Sequence, residues 1–347
     1  MRQLQNFSFQ LRSCPGSVYA DKTRAACKIE HTILDIVLQA GFVAAGLTKH
    51  DDAPLLVCAL PYGNIASASD ACILTAQQNL YGKPIGIVAP FARFNYYREA
   101  VKRLQKVSQL LRGSFGGTKS DYRIFCNSSI NEKQAAENSG IGCLGRNNLI
   151  ITKKAGSLVV IAAMTLPIDF GITPTSTAGG SVKEAQDTYR CLAPYDSRLF
   201  EARGAVPPTF KICECCKNKP LCAAACPTGA INGAGKIDLQ KCIQWYASGN
   251  GGSVPKIVLE NWGNVFYGCT RCLDACPHNK KIIAGAFTNI GGVLPFVDVK
   301  KITEMSDAQI KTTFKGTTLG LSWLGPSALR RNARCVMHHY AFALTPS

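Results

Sequence analysis

Apolar residues fall at helical spacing from Ile29 to Ala40 and stop at Gly41, which predicts a helix closed by a C-terminal glycine. Residues 55–60 (LLVCAL) form a short continuous apolar run checked by Pro61, the pattern of a buried strand. Between Tyr96 and Arg112, Tyr97, Ala100, Val101, Leu104, Val107 and Leu111 share one helical face. Arg98, Lys102, Arg103 and Lys106 lie largely on another, giving an amphipathic basic helix. YRIF (122–125), LIIT (149–152) and SLVVIAAM (157–164) follow as strands, with a helix over 131–138 between the first two. The stretch Ser327 to Phe342 reads as a terminal helix packing back on the body. Strands alternating with helices predict an α+β or α/β fold with a mixed sheet.

Residues 171–208 mix Gly, Thr, Ser and Pro without sustained periodicity, the signature of a linker or surface insertion. The expected division is therefore an α/β domain over 1–170, the linker 171–208, a cysteine-rich domain over 209–290, and a helical segment over 291–347.

The chain has 347 residues, 46% of them hydrophobic and 18% charged, so it has enough apolar material for a core and is not a disordered polyelectrolyte. Its longest apolar run, Leu158 to Met164, is too short to span a membrane, and its first residues lack the apolar centre of a secretion signal. These features predict a cytoplasmic protein, expected as a monomer without membrane contact. The formal net charge of +17 is compatible with a polyanionic partner or an acidic electron donor.

Nine of the 17 cysteines lie between Cys213 and Cys276, and an odd total without a secretion signal favours metal or redox chemistry over disulfides. Cys58 and Cys335 sit in apolar or helical patterns and read as small buried hydrophobes. The five histidines have no metal-ligand spacing. Two cysteine runs, Cys213 to Pro227 and Cys269 to Pro277, both end in Cys-x3-Cys-Pro, the ending of bacterial ferredoxins with two clusters, where the last cysteine of each run ligates the other cluster. That rule assigns Cys213, Cys216, Cys222 and Cys276 to one [4Fe-4S] cluster. It assigns Cys226, Cys269 and Cys272 to the other, with Cys242 as the best fourth ligand. Cys215 is an extra thiol able to replace Cys213 or Cys216. The rival is zinc bound by two Cys-x2-Cys pairs, which explains neither the repeated Cys-Pro ending nor eight ligands in this order. Two cubanes form a one-electron relay, which implies a ferredoxin or flavodoxin-type donor and an acceptor in the first domain.

In these residues the chain resembles the epoxyqueuosine reductases, which use two [4Fe-4S] clusters and cobalamin in queuosine tRNA modification and are related to reductive dehalogenases. Cys226-Pro227-Thr228-Gly229-Ala230, Cys242-Ile243, Tyr267-Gly268-Cys269, Cys276-Pro277 and Asn279-Lys280 follow the family pattern in order and spacing. So do Glu137 to Ser157 and, further on, Trp323 with Arg331-Asn332-Ala333. The resemblance supports Cys242 as a ligand and implies cobalamin contact near Gly142 to Ile150, with Gly142, Arg146, Asn147, Ile150, Lys153 and Ile161 as cofactor residues.

Three positions depart from the family. Its catalytic aspartate is expected just after the strand ending at Phe125, where this chain has Cys126 and Asn127; Gln244 replaces a serine; and the family's C-terminal repeats would begin after Ala333. The expectation is a cobalamin-dependent reductase whose clusters reduce Co(II) to Co(I), with little activity on epoxyqueuosine in tRNA. The alternative is an electron-transfer or cobalamin-handling protein.

Overall fold

The computed structural model describes residues 18–51, 53–62, 84–168, 213, 216, 219–280 and 292–344, with no side chains described for 18–28 and 342–344. The proposed linker 171–208, Cys215 and Lys281 lie outside the described residues.

Strands β1 (Ala44–His50), β2 (Ala53–Pro61), β7 (Val159–Thr165) and β4 (Ile124–Phe125) form an antiparallel sheet in the order β1-β2-β7-β4. The continuous apolar run in β2 is explained by burial on both faces. Leu56, Cys58 and Leu60 point to a core shared with Ile33 and Val37 of helix Val18–Gln39 and with Ala100, Leu104, Val107 and Leu111 of helix Tyr96–Phe115. Leu55, Val57 and Ala59 point the other way, onto Phe125, Ile130, Ala135, Ala136 and Ile150. The strand runs through Pro61, which pairs with Val159 at its end. Arg103 of the basic helix is no free surface cation: it reaches Glu99 at 2.8 Å and donates to the carbonyls of Ala40 and Gly41 at 3.1 Å, closing the C-terminus of the first helix.

A second sheet has the order β8-β3-β9. Its centre, β3 (Ile85–Val88), runs parallel to β8 (Val265–Tyr267) and antiparallel to β9 (Phe296–Asp298). A strand from the stretch before residue 170 is thus held between two strands from beyond residue 260. A hairpin of β5 (Gly142–Leu144) and β6 (Ile150–Thr152) stands apart from both sheets. Trp262, Tyr246 and Phe266 fill a second core against the terminal helix Pro326–Leu344. In that core Asn332 is wholly buried and donates to Ala247 O at 2.8 Å and Phe266 O at 3.0 Å. Helices Val299–Glu304 and Asp307–Thr313 precede it; the second opens on a capping box in which Ser306 and Gln309 exchange hydrogen bonds with each other's backbone.

Candidate functional site

Within 213–280 the described helices are single turns. Cys222 lies in helix Leu221–Ala224, Cys272 in helix Arg271–Asp274, and Cys242 caps helix Ile243–Ala247. The thiols fall into two electrostatic neighbourhoods. Burial raises the pKa of Cys222, and then so does the charge of Cys213, with Cys216 contributing less. Burial pushes Cys276 up to about 11, with Cys213 and Cys222 among the further causes. In the other set, burial raises Cys269, with Cys242 and Cys226 adding to it; Cys272 is raised by burial first and then by Cys269 and Cys242. Cys222 also acts on Cys272, a link between the sets. Cys226 runs the other way: hydrogen bonds from Thr228 and from backbone N–H groups outweigh its burial and hold it below its ordinary value. Cys276 thus feels Cys213 and Cys222 of the first run, and Cys226 acts on Cys242, Cys269 and Cys272. Among the described residues no group of three or more His, Cys, Asp or Glu could hold a single metal ion.

The β5–β6 hairpin joins the first sheet to the first set of thiols. Cys213 donates its N–H to Leu144 O at 3.1 Å, and Arg146 N–H points at Cys213 Sγ at 3.4 Å. Beyond the hairpin, Asn279 closes the seam: its Oδ1 accepts from Ser157 N at 2.9 Å and its Nδ2 donates to Leu273 O at 2.8 Å. Gly156 makes this approach possible, since it has φ +52° and a Cβ there would stand 2.2 Å from Asn279 Oδ1. At the second set, Gln244 has a clear task, accepting from Cys269 N–H at 2.8 Å.

Cys272 packs on the core that contains Tyr62 and Tyr96. Beside that core opens a cavity of about 470 Å³, within the roughly 300–1,000 Å³ of small-molecule sites. Its walls come from three separate segments: Asn95, Tyr97, Arg98 and Val101 at the start of the basic helix, Cys126 and Asn127 after β4, and a turn with Thr317, Leu321 and Trp323. Tyr97 and Trp323 meet edge to face at 6.2 Å. A hydrogen bond from Trp323 partly offsets the rise that burial causes in Tyr267, so this wall meets β8, the strand that leads to Cys269. Sequence periodicity gives no sign of the cavity.

The predicted cofactor residues are dispersed. Gly142 packs in the hairpin against Ile150 and Ile151, and Ile150 is buried. Arg146 spends its side chain on the carbonyls of Cys213 at 3.1 Å and Gly233 at 3.2 Å. Asn147 is buried, accepts from Leu149 N, and keeps an Nδ2 without a partner. Lys153 is exposed. Ile161 alone adjoins the cavity, its carbonyl lying 3.6 Å from Cys126 Sγ.

The family model of a 4Fe-4S double cluster binding domain matches residues 212–279. An epoxyqueuosine reductase of Francisella cf. novicida is 26% identical over 186 residues, 53% of this chain and 42% of the relative. A crystal structure of epoxyqueuosine reductase with an epoxyqueuosine-modified tRNA-Tyr stem loop superposes with a TM-score of 0.64 at 19% identity, over 91% of this chain and 82% of the other. The chain is a divergent relative of the epoxyqueuosine reductases. It has their fold, and it spans less than half the length of the first curated relatives it matches. The Bacillus subtilis epoxyqueuosine reductase, with a TM-score of 0.63 at 19% identity over 91% of this chain and 82% of its own, is described with a catalytic aspartate loop swung out of its active site. In this relative of the reductases the cavity wall carries Cys126 and Asn127 and, among the described residues, no carboxylate. Among the described residues no helix is long and apolar enough to cross a membrane.

Proposed function

We propose that the chain is a reductase of the epoxyqueuosine reductase type that uses two [4Fe-4S] clusters and cobalamin. One cluster is held by Cys213, Cys216, Cys222 and Cys276 and the other by Cys226, Cys242, Cys269 and Cys272. The observation that carries the reading is the division of these thiols into two neighbourhoods, with Cys272 packed on the aromatic core beside the cavity. When bound, the clusters supply single electrons at low potential and cobalamin a strongly nucleophilic metal centre.

The chain's own residues supply the rest. Tyr97, Val101, Leu321 and Trp323 offer an apolar, aromatic wall, and Asn95, Asn127, Thr317 and Arg98 edge it with polar groups. That lining suits one face of a flat ring system rimmed by amides. The buried Asn147 Nδ2, without a partner among the described residues, is a donor in the same hairpin turn as Arg146, whose N–H meets Cys213 Sγ. Arg146 N–H, aimed at Cys213 Sγ, is an N–H···S contact of the kind that tunes a cluster's potential. The net charge of +17 supports an acidic ferredoxin or flavodoxin-type donor, and a tRNA partner rests on the relative described with a stem loop. One observation favours a second reading, a cobalamin-handling or electron-transfer protein without activity on epoxyqueuosine: among the described residues the cavity wall has no carboxylate.

The test is anaerobic reconstitution. About eight iron and eight sulfide per chain are expected, and Cys276→Ala should remove the cluster held mainly by the first run. Loss of only the other cluster refutes the crossed ligation. Titration with cob(II)alamin followed by electron paramagnetic resonance should change the free-cobalamin spectrum. An unchanged spectrum at excess protein leaves electron transfer as the function.

A further inference from the structure

Among the described residues the cavity lining has no carboxylate. Its wall contains two groups able to give up a proton besides the Arg98 guanidinium: the Tyr97 phenol and the Cys126 thiol. Cys126 leaves β4 directly into a tight loop in which Asn127 has φ +53°. That loop is tied down from behind. Glu132, at the start of helix Glu132–Asn138, accepts a hydrogen bond from Asn127 N–H, and its carboxylate also takes one from the backbone of Ser128. The carboxylate is therefore turned onto the loop's backbone and is absent from the cavity lining, while the thiol it backs is part of that lining.

We propose that the Cys126 thiol is the proton donor of this cavity and that Glu132 is its positioning residue. The proposal rests on the reductase reading above and deepens it by naming the acid. In the step concerned, two electrons, delivered one at a time by way of the iron-sulfur clusters from the external donor, would cleave one bond of the substrate, one electron pair going to the departing atom and the other to the atom that is to be protonated. The Cys126 S–H bond breaks, the proton bonds to that atom, and the electron pair of the old S–H bond stays on sulfur as a thiolate. Bulk water then returns the proton, so Cys126 ends unchanged and is neither oxidised nor reduced.

The surroundings keep the thiol loaded. Burial, and after it the Glu132 carboxylate, push Cys126 up to about 12. The charged and titratable groups around it are Glu132 on its helix, Tyr97 and Arg98 on the basic helix, and Cys58 in β2, whose own thiol is raised well above its ordinary value by burial. An ordinary thiol, near 8.5, is partly ionised at mildly alkaline pH, whereas this one holds its proton throughout. Among the described residues its hydrogen-bonding contact is Ile161 O at 3.6 Å, a weak tether that leaves the proton available. Tyr97 is the competitor, since burial and the charges of Tyr267, Cys126 and Glu132 bring its phenol to about 12 as well.

Two measurements on the cluster-loaded protein decide it. The first is alkylation of Cys126 by iodoacetamide, read from its own peptide by mass spectrometry. The rate should climb about tenfold per pH unit without levelling off below about pH 10. Glu132→Gln should raise the rate at a given pH about tenfold by removing the carboxylate's charge. No response to Glu132→Gln overturns the role of Glu132 behind the thiol. The second is turnover of an epoxyqueuosine-containing stem loop with dithionite and cobalamin. Cys126→Ala should lower kcat about 10²-fold or more with KM little changed, Cys126→Asp should restore much of it, and Tyr97→Phe should cost far less. A Cys126→Ala variant as fast as the parent, or a loss seen in Tyr97→Phe instead, overturns it. A parent protein that does not turn over the stem loop fails the reading of function, and the alkylation arm still decides the state of the thiol.

Discussion

In β2 six consecutive residues, Leu55 to Leu60, are buried, and the strand pairs along its length with β1 and β7. Between residues 219 and 280 no helix exceeds five residues and β8 has three. Helices of one turn are not stable in water on their own, because nucleation costs more than a few hydrogen bonds return. The first region carries its stability in apolar contacts. The second lays short turns against Trp262, Phe266 and the terminal helix and positions its thiols with backbone hydrogen bonds. It follows that the two regions should answer differently to the same insult, and the place to couple or uncouple them is the Ser157–Asn279 seam.

The largest difference is expected on removing iron. Chelation of the reconstituted protein should speed amide exchange around Cys222, Cys242 and Cys272 by about 10³-fold, about 4 kcal/mol of local stability, while β2 and β7 stay protected. Equal loss in both regions would erase the contrast. Next, Leu56→Ala, at a wholly buried position, should cost about 2–5 kcal/mol in a denaturant titration with the visible absorption of the clusters unchanged. Asn279→Ala leaves Ser157 N–H and Leu273 O without their partner. It should cost about 1–3 kcal/mol and lower the cooperativity of unfolding, seen as separated transitions by absorption and by circular dichroism.

The smallest effect is pH-dependent and confined to the first region. Burial raises the Glu137 carboxyl above its ordinary value, and the hydrogen bond from Leu144 N–H at 2.9 Å opposes this in part. A raised value in the folded state means that the folded chain holds the proton more tightly. The contribution is complete below the unfolded value of 4.5 and is lost as pH climbs through the higher folded one. Protection of the Leu144 amide, corrected for the intrinsic exchange rate, should therefore fall as pH rises from about 4 to 7, and Glu137→Gln should flatten that slope.

The same contrast governs what could be read from the amino-acid order. β2 and β7 were legible as short apolar runs buried on both faces, and the basic helix because its buried positions follow a period of 3.6 residues. The cysteine pattern of a double-cluster domain was legible because cysteine spacing survives without secondary structure. The Ser306–Gln309 capping box was a readable start for helix Asp307–Thr313, which the periodicity alone did not reveal. The cavity was not legible, since Asn95, Cys126 and Trp323 meet only in three dimensions. Arg146 looked like a ligand-facing cation on a loop, yet its side chain bonds the backbone of Cys213 and Gly233, partners 67 and 87 residues away.

The pairing of β3 with β8 and β9 bears on how the protein is made. When Ile85–Val88 leaves the ribosome, its partners are roughly 200 residues from being synthesised. At roughly 5–20 residues per second that is a wait of about 10–40 s with both edges of an apolar strand unpaired. A nascent chain stalled before Phe296 would display that strand to any passing edge, so production in a cell should depend on chaperone supply and elongation rate more than the finished molecule's stability suggests.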